Sequence, residues 1–472
     1  MQFNSFEFLW LFPFIFAIYY LILYRDSWMT KIPRLGNYVL IAISYGLYTK
    51  YNPACALVLL GVTVITFLAA LKIEKDQAFG CKKYLIWTGI ILALIPLILF
   101  KYYNFISSQL SAGLALCGVS VGLPGLNWVM PLGISFYTLQ AVGYLADVYL
   151  QRIKAERNWW DYMLFVCFFP QIASGPISKA KDLLPQIKSR RSFNYAQAVQ
   201  GLRWLLWGMF IKVVVADTLG MRIHVVLDNY QNNPGIMCMA CAFFYSFQIY
   251  CDFAGYSFMA VGVGELLGFE LINNFRRPYF SQTVTEFWHR WHISLSTWLK
   301  DYIYIPLGGN RCSKLRNYFN IFVTFFVSGV WHGANWTFIV WGILHGLFQI
   351  IEKFLGINKV QSTGGIKWLR VISTFLLVTF AWIFFRMPTL ADACAVIMQI
   401  FTDHTGQFVG VVGPLLLIGI VLFKDFMDEY DIKPLRLLHN RFVIVRWATY
   451  LLLITAIATV GIYGGQFIYS GF

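Results

Sequence analysis

The sequence predicts an all-α protein that crosses a membrane many times, and three observations carry that prediction. Of its 472 residues, 58% are hydrophobic and 12% charged, whereas a soluble domain averages about 25% charged residues. Mean hydropathy is +0.62. Apolar runs at 6–24, 54–71, 84–100 and 447–463 come close to the roughly 20 residues a helix needs to span a bilayer. We expect a single membrane domain over 1–472, with its working core at about 129–353.

The net charge of +15 would suggest a nucleic-acid partner in a soluble chain. Here it fits Lys and Arg held in cytoplasmic loops beside anionic headgroups, and no basic helix with base-reading side chains is present. Nucleic acid is therefore not an expected partner, whereas membrane lipid is. The nine cysteines are scattered, most of them within apolar runs (Cys55, Cys117, Cys167, Cys251, Cys394), and read as small core residues without a disulfide framework. Cys238 and Cys241 form an isolated C-x-x-C in an apolar helix, where packing is the better explanation.

Taken in order, 6–24 is a first span, since no basic stretch or small-residue cleavage site precedes or follows it as in a signal peptide. Arg25, Lys31 and Arg34 then mark a cytoplasmic loop, which places the N-terminus outside. Residues 35–48 go out, 54–71 return to a basic loop at 72–83, and 84–100 go out to a Gly-containing segment at 111–125. Residues 129–150 return to Arg152, Lys154 and Arg157. The alternation breaks at 160–178, which contains Pro170 and Gly175-Pro176 and has basic residues on both flanks. A re-entrant segment satisfies both facts, because irregular backbone at membrane depth must be buried in protein or line a cavity. We expect the 170–176 stretch, with Gln171, Ala173 and Ser174, to form a pocket wall.

Residues 195–219 go out, 222–235 form an outer loop, and 236–263 return carrying Gln248, Tyr250 and Asp252, an unusual polar cluster for a span. Gly262, Gly264 and Gly268 follow no strand, so they point to close helix packing and not to a dinucleotide fingerprint. Residues 283–304 suit an amphipathic cytoplasmic helix. Residues 317–353 have basic flanks and should be two helices meeting near 329–335. Residues 372–385 go out, 390–401 lie in the outer interface, 411–423 return to a loop at 424–446, and 447–463 exit. The count is about eleven spans plus a re-entrant and an interfacial helix, with no internal repeat.

Four of the seven histidines lie in 286–345, amid surroundings as apolar as a lipid-facing helix. Ionisable groups at such depth are functional candidates by default. His289 and His292 are three apart on the expected helix, with Glu286 one turn earlier. His332 follows between Gly329 and Gly333, and His345 lies further along the hairpin. A metal site would need these to converge with a carboxylate. Structural histidines suit His289 and His345. For His332, flanked by Trp331 and a helix break, proton or acyl transfer is the better fit. No G-x-S-x-G accompanies it, so transfer would be direct.

These residues carry a resemblance. Trp291 to Arg311 (WHISLSTWLKDYIYIPLGGNR) and Ser328 to Trp336 (SGVWHGANW) resemble the membrane-bound O-acyltransferase family, specifically its alginate O-acetyltransferase branch. So do Pro131 to Gln140, Phe169 to Ile177 and Gln248 to Tyr256, and the similarity runs from about residue 5 to the C-terminus. The resemblance implies a helical ring around a thin centre with a tunnel from a cytoplasmic donor to an external acceptor. It implies that His332 and His292 are catalytic. Our substrate-binding candidates are Trp331, Asn335, Trp291, Ser296, Asp301, Asn310, Arg311, Gln171, Tyr250 and Asp252, with no metal. The implied donor is acetyl-CoA, with no bound cofactor. The implied acceptor is an extracytoplasmic polysaccharide, reached through an exported SGNH/hydrolase-like acetyltransferase, at a bacterial cytoplasmic membrane. Basic residues at 179–191 and 311–316 could attract the donor's phosphates. His289 stands where relatives usually carry Arg, and Phe258 where many have Asp. A D-alanyl transferase for teichoic-type polymers is the runner-up, which the Pro-Leu-Gly-Gly-Asn-Arg turn disfavours. A transporter would more often show inverted repeats.

The basic-loop alternation makes a direct prediction. In a cysteine-depleted background, Lys75→Cys should react with a membrane-permeant maleimide and resist an impermeant one added from outside. Labelling from outside would invert the topology.

Overall fold

The computed structural model describes residues 3–24, 34–76, 79–119, 122–172, 175–463 and 465; Arg25, Lys31, Ala173 and Ser174 lie outside them. The regular elements among the described residues are all helices, with no strand. Seven helices among them are long and apolar enough to cross a membrane: Phe6–Tyr24, Pro53–Lys75, Gly80–Leu116, Gly235–Leu266, Trp336–Phe354, Gly364–Arg386 and Val443–Val460. The expected count of about eleven also took in shorter elements, such as Ile134–Tyr149, and helices with polar ends, such as Lys314–His332.

The helix Gly235–Leu266 is the central post, buried along most of its 32 residues, which is about 48 Å of helix. Glycines let its neighbour Tyr195–Met209 approach. A Cβ on Gly255 would lie 2.7 Å from the Gly208 carbonyl oxygen, and one on Gly262 would lie 2.5 Å from that of Gly201. Gly262 is thus a packing residue, as its sequence context suggests. Val443–Val460 is the opposite case, a peripheral helix with Leu453 its one buried residue.

Several boundaries differ from expectation. The run expected to end at residue 100 continues through a π-helical turn at Ile98–Tyr102 to Leu116. The span expected to end at 219 likewise passes through a π turn, Phe210–Ala216, and runs on to Leu227, into the expected outer loop. At 160–178, the helix Trp159–Cys167 has nine residues, about 14 Å of rise against a hydrocarbon core of about 30 Å. A four-residue turn, Phe169–Ile172, follows it, so this segment does not cross as a helix. The stretch 283–304 is not one helix: Val284–Arg290 and Ile293–Leu299 are separated at Trp291 and His292, and a π turn, Lys300–Tyr304, ends it.

The expected hairpin is present as Lys314–His332 and Trp336–Phe354. Its arms touch backbone to backbone: a Cβ on Gly342 would sit 2.4 Å from the Phe325 carbonyl oxygen, and one on Gly329 2.5 Å from that of Phe338. Backbone cannot yield as a flexible side chain can, so Gly342→Ala must splay the arms. Overpacking of this kind costs about 1–3 kcal/mol, and the variant should unfold at a measurably lower temperature in detergent. An unchanged transition would show that the arms are not in tight contact.

Candidate active site

The hairpin turn ends one helix inside the protein, and its last carbonyls need partners. Trp331 O accepts from Lys101 Nζ at 2.5 Å, and Val330 O accepts from the Tyr102 hydroxyl at 2.9 Å. Lys101 also donates to Ser135 Oγ at 3.2 Å. A half-buried ammonium therefore sits one residue from His332, above the Trp331 ring at 5.5 Å. Asn335 accepts from Thr337 N at 3.1 Å and donates to Pro388 O at 2.7 Å. It caps the second arm through these bonds.

His332 is 1% exposed, and its Nδ1 lies 2.6 Å from Ser328 O. A carbonyl oxygen can only accept, so Nδ1 carries the proton in the neutral ring and the lone pair is on Nε2. His345 is the reverse. Its Nδ1 lies 3.2 Å from Trp288 Nε1, and indole can only donate, so its lone pair is already engaged and its proton is on Nε2. Of these two buried rings, His332 keeps its basic nitrogen turned away from its backbone anchor. The two rings share a neighbour. Trp341 packs edge-on to both, 4.6 Å from His332 and 4.9 Å from His345 between ring centroids.

His292 is the residue at which the 283–304 stretch breaks. Its backbone is left-handed, with φ 44° and ψ 54°, which costs a non-glycine residue about 1–2 kcal/mol. Asn274 holds the break: its carbonyl accepts from Ile293 N at 3.1 Å and its side chain from Ser294 N at 3.0 Å. Such outliers point toward function. The kink separates His292 from the face of His289 and Glu286, contrary to the single-helix expectation. The ring is fully buried against Phe253, at 4.6 Å. Neither of its nitrogens has a hydrogen-bond partner among the described residues, an expensive condition that a bound polar group would relieve. Trp331 connects the two sites, 6.1 Å from His292 and 4.9 Å from His332.

A cavity of about 450 Å³ adjoins this cluster, lined by His289, Ser296, Lys300, Asn310, Lys353 and Trp288 among others. Trp288 is also edge-on to His345 at 5.2 Å and to Trp341 at 5.7 Å. The cavity's inner wall is therefore one aromatic layer from the hairpin histidines.

The remaining candidates divide. Ser296 and Asn310 face this cavity. Trp291 is fully buried among Phe287, Phe275 and Trp382. Gln171 donates to Gln140 Oε1 and to Phe165 O, both at 3.2 Å, joining the 131–140 and 169–177 stretches. Three candidates have partners within the protein. Tyr250 donates to Asp425 at 2.8 Å, Asp252 pairs with the fully buried Lys212 at 2.5 Å, and Asp301 pairs with Lys179. Arg311 is exposed. The basic 179–191 cluster is largely spoken for too: Lys188 pairs with Glu156, and Arg191 donates to the Tyr19 hydroxyl at 2.7 Å. Among the described residues, no group of three or more His, Cys, Asp or Glu is placed to hold a metal ion. Lys101 and Lys212 were missed by sequence reasoning. The available signal was a lone lysine within or beside an apolar run.

Fold and site together define a class: a multi-pass helical membrane protein with imidazoles buried at helix breaks. The chain belongs to the membrane-bound O-acyltransferase family, whose model matches residues 150–388. It is 35% identical over 449 residues to a probable alginate O-acetylase, AlgI, of Pseudomonas aeruginosa, covering 92% of this chain and 83% of that one. It is 35% identical over 395 residues to a peptidoglycan O-acetyltransferase of Helicobacter pylori, covering 78% and 74%. To a teichoic acid D-alanyltransferase of Streptococcus thermophilus it is 27% identical over 383 residues, covering 71% and 88%. This is a membrane O-acyltransferase.

The Lys101 contact makes a prediction. Lys101→Met removes a charge-assisted bond to a buried carbonyl, a contact worth about 1.5–3 kcal/mol. Thermal stability and transfer rate should both fall, and Lys101→Arg should recover part of each. A Met variant with wild-type values would show the contact to be dispensable.

Proposed function

We propose that the protein takes an acetyl group from acetyl-CoA on the cytoplasmic side of a bacterial cytoplasmic membrane and delivers it for O-acetylation of an extracytoplasmic polysaccharide. His332 is the general base. The observation that carries this role is the anchoring of its Nδ1 to Ser328 O, which leaves Nε2 as the basic nitrogen beside a helix break. An acceptor hydroxyl attacks the thioester carbonyl and gives its proton to Nε2. The C–O bond forms, the C–S bond breaks, and the proton passes to the departing CoA thiolate. Aromatic walls around His332 exclude water and so protect the donor from hydrolysis. His292 acts on the same pathway as a polar contact for the acyl group or its carrier.

The cavity bearing Lys300, Lys353 and His289 is suited to the phosphorylated end of the donor. The names of the relatives support acetyl as the group and a cell-envelope polymer as the acceptor. The resemblance implies hand-over to an exported SGNH/hydrolase-like acetyltransferase, and we assign such a partner here.

Purified protein in liposomes, given acetyl-CoA labelled in the acetyl carbon, should release free CoA and transfer label to an acceptor on the far side. General-base help is typically worth about 10² to 10⁴ in rate, so His332→Ala should lose at least that much while remaining folded. His345→Ala should lose less. A folded His332→Ala protein with wild-type transfer would remove His332 from the mechanism. Transfer of a D-alanyl group from a carrier protein, with none from acetyl-CoA, would replace the donor.

A further inference from the structure

A second cavity, of about 440 Å³, shares no lining residue with the first and lies between Tyr195–Met209, Val412–Glu429 and Val443–Val460. Its lining mixes apolar and basic side chains. The apolar ones include Trp204, Trp207, Ile420, Phe423 and Leu453. Ile420 and Phe423 are each 46% exposed, on a side bounded by the peripheral helix Val443–Val460. The cavity therefore opens toward the hydrocarbon around the protein. The basic ones are Arg203, Arg277, Lys424 and Arg436, against a single lining carboxylate, Asp428, and Lys424 Nζ lies 5.1 Å from the centre of the Trp207 ring.

Some of that charge is matched nearby. Lys424 pairs with Asp428 at 2.8 Å, Arg277 with Glu429 at 2.8 Å, and Arg436 with Asp431 at 2.5 Å. Arg203 is different: among the described residues its contact is the neutral Tyr450 hydroxyl, at 2.9 Å. A guanidinium beside lipid with no carboxylate of its own calls for an anion from elsewhere. The neighbouring His439 reports the same field. Burial and the Arg203, Lys424 and Arg436 cations hold its imidazole below the usual pKa, against the opposing pull of Asp428.

We propose that this cavity is a binding site for an anionic phospholipid of the inner leaflet. The phosphate sits between Arg203 and Arg436, and an acyl chain lies along Trp204, Ile420 and Phe423. Basic pockets between membrane helices at the cytoplasmic face select such headgroups, and the segment 430–446 that follows the helix, with Lys433, Arg436, Arg441 and Arg446 against Asp431, assigns this one to that face by the positive-inside rule. The mixed lining, beside the half-exposed Ile420 and Phe423, favours a lipid over a free anion, which would gain nothing from the apolar side chains. Binding would fasten the peripheral Val443–Val460 helix to the body of the protein.

The full chain, purified in a non-ionic detergent and delipidated, would be titrated with phosphatidylglycerol, phosphatidylcholine and inorganic phosphate. Native mass spectrometry and thermal unfolding would be the readouts. Phosphatidylglycerol should be retained at one site and raise the unfolding temperature, and the other two probes should do neither at matched concentration. The double variant Arg203→Gln with Arg436→Gln should bind phosphatidylglycerol roughly thirtyfold more weakly, from about 1 kcal/mol for each basic residue near an anionic lipid. Equal retention of phosphatidylcholine would overturn the proposal, as would equal stabilisation by inorganic phosphate or undiminished binding by the double variant. If the lipid-free double variant unfolds earlier than wild type, the comparison of the three probes on the wild-type protein decides alone.

Discussion

Backbone carbonyls at the end of Lys314–His332 must be satisfied where there is little water to do it. That requirement shapes the surroundings of the site. A helix that stops inside the protein exposes its last carbonyl groups; Ser328 O, one turn before the end, takes the His332 ring, and two of the last carbonyls find partners, Val330 O with Tyr102 and Trp331 O with Lys101. Each contact does two things at once. The first fixes an imidazole's tautomer, and the other two bring the Ile98–Tyr102 turn against the hairpin. Ser135 joins through Lys101, and the next residue, Phe136, packs on both Trp331 and His292. Structural satisfaction and the reactive geometry are thus met by the same bonds.

The close arms of the hairpin serve the same end. Because Gly329 and Gly342 let the backbones touch, Trp341 is brought in beside His332 and His345 together. Thirteen residues of sequence separation become one indole's width. With wider arms, Trp341 would leave a gap that water could fill, and a thioester nearby would then be open to hydrolysis.

Much of this was legible in the sequence. Composition and run length gave the membrane class, and the Pro-Gly-Pro interruption at 170–176 marked a segment that does not cross as a helix. Gly329 and Gly333, around His332, located the hairpin break. What escaped was set by tertiary contact. His292 was placed on a continuous helix because nothing local ends one there; Asn274, eighteen residues earlier, makes the break by bonding Ile293 N and Ser294 N. Tyr250 and Asp252 stand out in the sequence as polar groups in a span, but their pairing does not. Their partners, Asp425 and Lys212, lie on other helices, and no local pattern pairs them. Asn335 stood inside the signature stretch and proved to be a helix cap.

The missed lysines share one cause. The chain has π-helical turns at Ile98–Tyr102, Phe210–Ala216 and Lys300–Tyr304, and each contains a lysine: Lys101, Lys212 and Lys300. An i→i+5 turn inserts an extra residue and shifts the side-chain register of a 3.6-residue helix, and such bulges collect at functional sites. The shift matters most in an apolar helix, where it can turn a single polar side chain inward while the rest of the lipid-facing surface stays apolar. Lys101 thereby reaches the hairpin carbonyl, Lys212 reaches Asp252 and Asp217, and Lys300 lines the cavity beside His289. A periodicity argument assumes the regular register that these turns break. It therefore fails at the positions where the helix departs from that register to present a charge.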